Sequence, residues 1–164
     1  MSSQPDDRLS PVVRATQDQI ETIARRLGRF DKVQTHEPKS APGSGLTFAA
    51  WLQMLRPVAA MSGLAVSSML VVFNARIYLS MLGEPMDSID VNAAAVAAEM
   101  MAQLHGGFVL PGISPDRAEL DLLNRHGVPL EARAGYLNQD GKLLRIIDLF
   151  VPVIAYDVFD QEES

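Results

Sequence analysis

The residues most able to do chemistry are a His-Glu pair, three scattered histidines, one Gly-Ser-Gly and a few acids set in apolar surroundings. His36-Glu37 opens like a zinc-protease helix, in which two histidines one turn apart hold the metal and the glutamate is the base. Pro38 follows at once and forbids the helix, and no second histidine stands at the required spacing. Gly43-Ser44-Gly45 lacks the strand and helix that flank a hydrolase nucleophile and reads as linker. No Gly-Lys-Ser/Thr follows a glycine run, so there is no phosphate-cradling loop. His36, His105 and His126 all fall in expected loops or helix ends, where surface and turn roles suffice. Glu119 and Asp121 share one strand face and read as a solvated pair. Asp148 differs, because it interrupts an apolar strand: it marks either an exposed edge or an ion pair with Arg76 or Arg145.

The chain has no cysteine, which excludes disulfides, thiolate metal sites and a cysteine nucleophile. Its 164 residues suit one domain with a real core, and the net charge of -6 argues against a nucleic-acid groove. The polar, acidic start MSSQPDDRLS is no signal peptide. Pro57 to Ala75 carries no charge and approaches the length of a membrane-spanning helix. Ser62, Gly63, Ser67, Ser68 and Asn74 interrupt it, so a loop leading into a buried strand is the better reading.

The elements that must position these groups are organised around Ser68–Met81. One side is wholly apolar: Met69, Val71, Phe73, Ala75, Ile77, Leu79 and Met81. The other starts with Leu70 and Val72 and turns to Asn74, Arg76, Tyr78 and Ser80, dry at one end and wet or paired at the other. Alternation of this kind is a strand with one core face. At about 3.3 Å per residue it would span roughly 46 Å, long enough to project past its own core.

Before it, Ser10-Pro11 is a helix start, and Val13, Ile20, Ile23, Ala24 and Leu27 share a face up to Gly28. These residues predict a helix over about 11–28. Phe30–His36 is an edge-strand candidate, and 37–45, with two prolines and two glycines, is a loop. Leu46–Arg56 fits a strand buried on both faces or a short helix. Strand is chosen because Pro57 and the loop 58–66 then lead to an antiparallel neighbour. Met61 and Leu64 give that loop an apolar tip, which either folds onto the core or forms an interface.

After the long strand, Ile89, Ala93, Val96, Ala97, Met100, Met101 and Leu104 define a helix over about 89–105. Phe108–Leu110 is a short-strand candidate, and Ala118–Leu123 has the alternation to pair with a neighbour. Arg133–Asn138 and Lys142–Tyr156 form a hairpin about Asp140-Gly141. Pro152 marks an edge or a bulge there. The expected fold is α+β, a mostly antiparallel sheet with long strands and two main helices on one side. The expected organisation is a flexible arm 1–9, one domain over 10–159 and an acidic tail 160–164.

The order and spacing of these features carry a resemblance. Phe30-x-x-Val33-x-x-His36-Glu37-Pro38-Lys39 is followed by the Pro/Gly loop and Leu46…Trp51…Arg56-Pro57. The strand with Arg76-Ile77-Tyr78 leads to Asp87-x-Ile89-Asp90. Gly127-x-Pro129-Leu130, Ala134-Gly135-Tyr136, Asp140-Gly141-Lys142 and Asp157-Val158-Phe159 close the pattern. Over roughly residues 11–160 the chain resembles the tail-terminator (tail completion) proteins of long-tailed, siphovirus-type phages, in their actinobacterial form.

The resemblance implies a virion protein, assembled in the host cytoplasm, that forms a homo-hexameric ring. The ring would cap the tube of the major tail tube protein, stop its growth and meet the head–tail connector or stopper protein. DNA would pass through without sequence-specific binding; no membrane, catalysis, metal or cofactor is implied. Six copies at -6 each would carry -36 together, a field that repels DNA from the channel wall. The residues expected at subunit or tube interfaces are His36, Glu37, Lys39, Arg56, Met61, Leu64, Arg76, Asp148 and Phe159. The rival readings are a connector or stopper protein of the neck, a small α+β enzyme using Asp148, Glu119 or a histidine, and a stand-alone binding module.

Overall fold

A computed structural model describes residues 7–43, 45–59, 66–81 and 86–160. The chain is α+β. Helix α1 (Ser10–Leu27) precedes β1 (Lys32–Gln34), β2 (Leu46–Ala59) and β3 (Val66–Ser80). Helix α2 (Met86–Gly107) precedes β4 (Ala118–Leu120), β5 (Glu131–Gln139) and β6 (Lys142–Asp160). The six strands form one sheet in the order β1-β2-β3-β6, beyond which β4 and β5 both pair with β6. Among the described residues only the β1–β2 pairing is parallel.

Both helices lie on one face of this sheet. The odd-numbered residues of β3 and β6, from Met69 to Leu79 and from Ile147 to Ala155, share a single apolar cluster with the buried stripes of α1 and α2. Those stripes include Ile20, Ile23 and Ala24 on α1, and Ile89, Ala93, Val96, Met100 and Leu104 on α2. They recur at helical spacing, and burial of such a stripe stabilises the helix more than its intrinsic propensity does.

Helix α1 starts differently from the expectation. Ser10 is its first residue rather than its cap, and Leu9 in the cap position offers no side-chain bond. Asp7 substitutes: its Oδ1 accepts from the backbone N–H groups of Leu9 at 3.2 Å and Ser10 at 2.9 Å. Hydrogen bonding to Ser10 holds the Asp7 carboxyl below its usual range. Gly28, at φ 65°, ends the helix and returns its N–H to the Arg25 carbonyl.

Pro57 was expected to end a strand and Pro152 to mark an edge or a bulge, and neither does. Strand β2 runs through Pro57 to Ala59, paired with β3 as far as Ser67. The loop expected over 58–66 therefore gives its ends to strands, and Met61 and Leu64 lie outside the described residues. Strand β6 runs through Pro152, which is paired with Val72 of β3. The Asp121 N–H donates to the Pro152 carbonyl at 2.8 Å, so the backbone groups of Pro152 point away from β3. Proline there falls where the outer neighbour of β6 changes from β5, ending at Glu131↔Phe150, to β4, starting at Leu120↔Val153. The missing donor thus costs no bond to β3. Phe108–Leu110 is not a strand.

The second face of the sheet is also dry over much of its area. Leu70, Val72 and Ile154 form one cluster, and Ala49, Tyr78, Leu144 and Ile146 another. Two segments reach across this face. Residues 35–43 run from β1 to the β5–β6 turn, where the Ala41 N–H donates to Asp140 and Gln139 Nε2 donates to the Pro38 carbonyl. At the other end Arg56 Nη2 donates to the His126 carbonyl. The sheet is therefore curled around its second face, with an apolar cluster at each end and polar residues between.

A candidate assembly surface

The polar band in the middle of that face is built by register. A β-bulge between Leu52 and Met54 shifts β2 by one residue against β3. Before it Ala49 and Trp51 face the second side; after it Met54, Arg56 and Val58 do. This explains why both parities of Leu46–Arg56 look apolar in sequence.

Arg76 and Asp148 are direct cross-strand partners of β3 and β6. Arg76 Nε donates to Asp148 Oδ1 at 2.6 Å and Nη2 to Oδ2 at 3.3 Å, a forked pair with side chains only 15 % and 19 % exposed. The guanidinium also stands 5.3 Å from the Trp51 ring centre and 5.8 Å from that of Tyr78. Burial works against the Arg76 charge, but the bonds to Asp148 offset it and hold the guanidinium above its ordinary pKa. Burial likewise raises the Tyr78 hydroxyl. The polar end of β3 is thus closed rather than wet. On the far side of Asp148 stands Arg133 of β5, itself paired with Glu131 at 2.7 Å.

Glu119 and Asp121 are not a solvated face. Asp121 is 3 % exposed and accepts the Arg125 N–H on both oxygens, at 3.2 and 3.0 Å. Glu119 accepts the Tyr156 hydroxyl at 2.5 Å. Burial, then that carboxylate, push the Tyr156 hydroxyl from 10.0 up to about 12. A raised folded-state pKa means stability that is fully present below about pH 10 and lost as pH rises toward 12. The expected result is that Tyr156→Phe removes one phenol ionising near pH 12 from the ultraviolet titration and flattens the alkaline fall in stability. An unchanged titration curve would remove this assignment.

The remaining expected interface residues divide by position. His36, Glu37 and Lys39 are exposed on the segment that crosses the second face. Arg56 is exposed beside His126. Phe159 stands opposite Ser67 at the far end of β6 and is 37 % exposed. Arg76 and Asp148 are brought together, and they satisfy each other inside one chain.

Sequence reasoning missed Leu52 and Leu55, which are 40 % and 43 % exposed. Their partners Phe73 and Val71 put them on the helix side of the sheet, as Met69 does Pro57, which is also exposed. Leu55 and Pro57 form an apolar strip toward the Ala59 end of β2, and Leu52 continues it to mid-strand. Phe159, opposite Ser67, stands at the same end of the ribbon, past a register shift in β6 and next to Val158 of the helix-side cluster. The bulge that brings Leu55 to the same side as Leu52 has no local signature, so only the surplus of leucines on both parities hinted at it.

The histidines stay apart, each in a different segment, and no nucleophile–base pair is formed among them. Among the described residues no group of three or more His, Cys, Asp or Glu side chains could hold a metal ion. No helix among them is long and apolar enough to cross a membrane.

No family model matches the sequence, and no curated protein does. Among solved structures, a chain with no functional description is similar over 94 % of this chain and 96 % of its own, at 13 % identity and a TM-score of 0.49. A chain from the virion of a native gene transfer agent particle is similar at 17 % identity over 89 % of this chain and 94 % of its own, with a TM-score of 0.43. The third is from the sheath/tube terminator structure of an extracellular contractile injection system in its extended state. It is similar at 11 % identity over 100 % of this chain and 61 % of its own, with a TM-score of 0.37. Likeness this distant carries neither a family nor a function to this chain.

Proposed function

We propose that this chain is a structural subunit of a phage tail, a tail terminator that closes the growing end of the tail tube as a homo-hexameric ring. The observation that carries the reading is the far end of the β2-β3-β6 ribbon. There Leu55 and Pro57 of β2 are exposed on the side that elsewhere holds the core, Phe159 of β6 is 37 % exposed at the same end, and Leu52 continues the strip to mid-strand. Apolar side chains gathered at one end of a rigid sheet mark a contact surface. The order of sequence features shared with tail terminators supplies the class of partner.

In this reading the ribbon end meets the last layer of the major tail tube protein, and the opposite side of the ring meets the head–tail connector. The segment with His36, Glu37 and Lys39, together with Arg56, Met61 and Leu64, lines the contacts between ring and neighbours. Arg76 and Asp148 act from inside, by holding the sheet that presents these surfaces. The ring works by shape and burial, without catalysis or cofactor, in the virion. Adding the purified chain to polymerising tube protein tests this. Growth should stop at sub-stoichiometric amounts, with shorter tubes as the dose rises. Unchanged tube length at equimolar chain would overturn the reading.

A further inference from the structure

Strand β5 has an open outer edge. The Asp121 N–H donates to the Pro152 carbonyl and the Tyr156 N–H to the Arg117 carbonyl, so even-numbered residues of β6 direct their backbone groups away from β3. The β5–β6 register pairs those even residues with Glu131, Arg133, Gly135, Leu137 and Gln139. The odd residues of β5 therefore spend their backbone bonds on β6. Ala132, Ala134, Tyr136 and Asn138 direct theirs outward. These four outward N–H groups have no partner among the described residues. Arg133, Ala134, Tyr136 and Asn138 are exposed, and the nine-residue strand contains no proline.

The other edge of the sheet is managed quite differently. Strand β1 covers Thr47–Ala49 of β2. Gln17 Nε2 donates to the Ala50 carbonyl at 3.0 Å. The bulge at Leu52/Met54 and then Pro57 interrupt the remainder of β2. Bulges, prolines and covering segments are how proteins block an edge from pairing with another chain. The length of β2 beyond β1 is blunted, which leaves β1, whose Val33 carbonyl takes only a 3.5 Å bond from Arg25 Nη2, and β5 as the two edges open to another chain.

We infer that β5 receives β1 of a second copy of this chain, extending the sheet from subunit to subunit; this rests on the ring proposed above. Two features point to a copy rather than a foreign strand. The first is height. Thr47, Phe48 and Ala49 are carried across β3 to Ile146, Ile147 and Asp148, which face Gly135, Ala134 and Arg133. Strand β1 pairs with the same three β2 residues, so Lys32, Val33 and Gln34 stand level with Gly135, Ala134 and Arg133. The second is direction. Strand β1 is parallel to β2, whereas β5 is antiparallel to β6 and hence to β2. Copies placed side by side in one orientation therefore bring β5 and β1 together antiparallel, with no step along the strands. A head-to-tail contact without a step closes into a ring rather than a filament.

The side chains agree. Val33 meets Ala134 and Gln34 meets Arg133, while His36 just beyond β1 lies toward Glu131. With copies joined laterally, the ribbon end carrying Leu55 and Phe159 is left facing along the ring axis, where the tube would be.

Residue-resolved amide exchange on the assembled chain decides this. On assembly the amide of Ala134, which faces Val33, should slow at least tenfold, while those of Arg133 and Gly135, already bonded to β6, change little. Ala134→Pro removes one outward N–H and Ala134→Lys charges the edge; each should weaken self-association at least tenfold with the fold retained by circular dichroism. A ring that forms while the Ala134 amide stays fast overturns the β5–β1 contact and leaves the ring standing. A chain that stays monomeric even on tubes overturns both.

Discussion

Arg76→Ala is expected to destabilise the chain by about 3 kcal/mol, with a fall in Tm of roughly 6–12 °C. Removing one member of a buried ion pair leaves the other charge without compensation, which typically costs about 3–5 kcal/mol; the partial exposure of this pair puts the figure at the low end. Arg76→Ala also strips the guanidinium from the faces of Trp51 and Tyr78. Asp148→Ala should cost less, because Arg76 keeps both rings. The double replacement Arg76→Met/Asp148→Leu should be milder than Arg76→Ala alone, since two apolar side chains of similar volume can join the clusters on either side. Thermal unfolding of the three variants tests the ranking. A double variant as damaged as the sum of the singles would show that the pair does more than neutralise itself.

Leu55→Asp and Phe159→Asp are expected to do the reverse: to leave folding intact and to destroy capping. Each residue is roughly two-fifths exposed in the single chain. Completing the burial of such a side chain contributes about 1 kcal/mol, and burying a carboxylate without a partner costs a further 1–3 kcal/mol or so. Each substitution should therefore weaken the contact by about 30-fold or more, and the pair should abolish tube arrest. Tm should move by no more than about 2 °C, because neither side chain fills the core. If either variant unfolds the chain, the ribbon end is core and the contact surface lies elsewhere.

The parts of the fold carried by local periodicity were legible in the sequence. The stripes of α1 and α2 and the two parities of β3 can be read directly, because 3.6- and 2-residue repeats decide which side chains are buried together. The Asp140-Gly141 turn was legible too: both residues adopt positive φ, at 52° and 72°, which that pair tolerates in a two-residue hairpin. An ion pair for Asp148 could be inferred from an acid interrupting an apolar strand, but an edge or exposed face was the simpler reading, and Arg76 and Arg145 were both open as partners.

Features that could not be read depend on which strand lies next to which. Pro152 looked like an edge marker because a proline cannot donate, but only the β5-to-β4 change of neighbour shows why a strand paired on both sides accepts it. Glu119 and Asp121 looked solvated because their partners, Tyr156 and the Arg125 N–H, are settled by the turn after β4 and by β6, 37 residues on in the case of Tyr156. The placing of Leu55 on the same side as Leu52 depends on a bulge, and the open edge of β5 on the phase of hydrogen bonding along β6. Neither leaves a mark in composition or spacing.

The most direct test is an averaged end-on image of tail tubes assembled in the presence of this chain. A single layer of six copies closing one end of each tube, with the Leu55 and Phe159 ends of the subunits against the last tube layer, is the expected result. Copies scattered along the tube wall, or ends that stay bare with the chain monomeric in solution, would contradict the account.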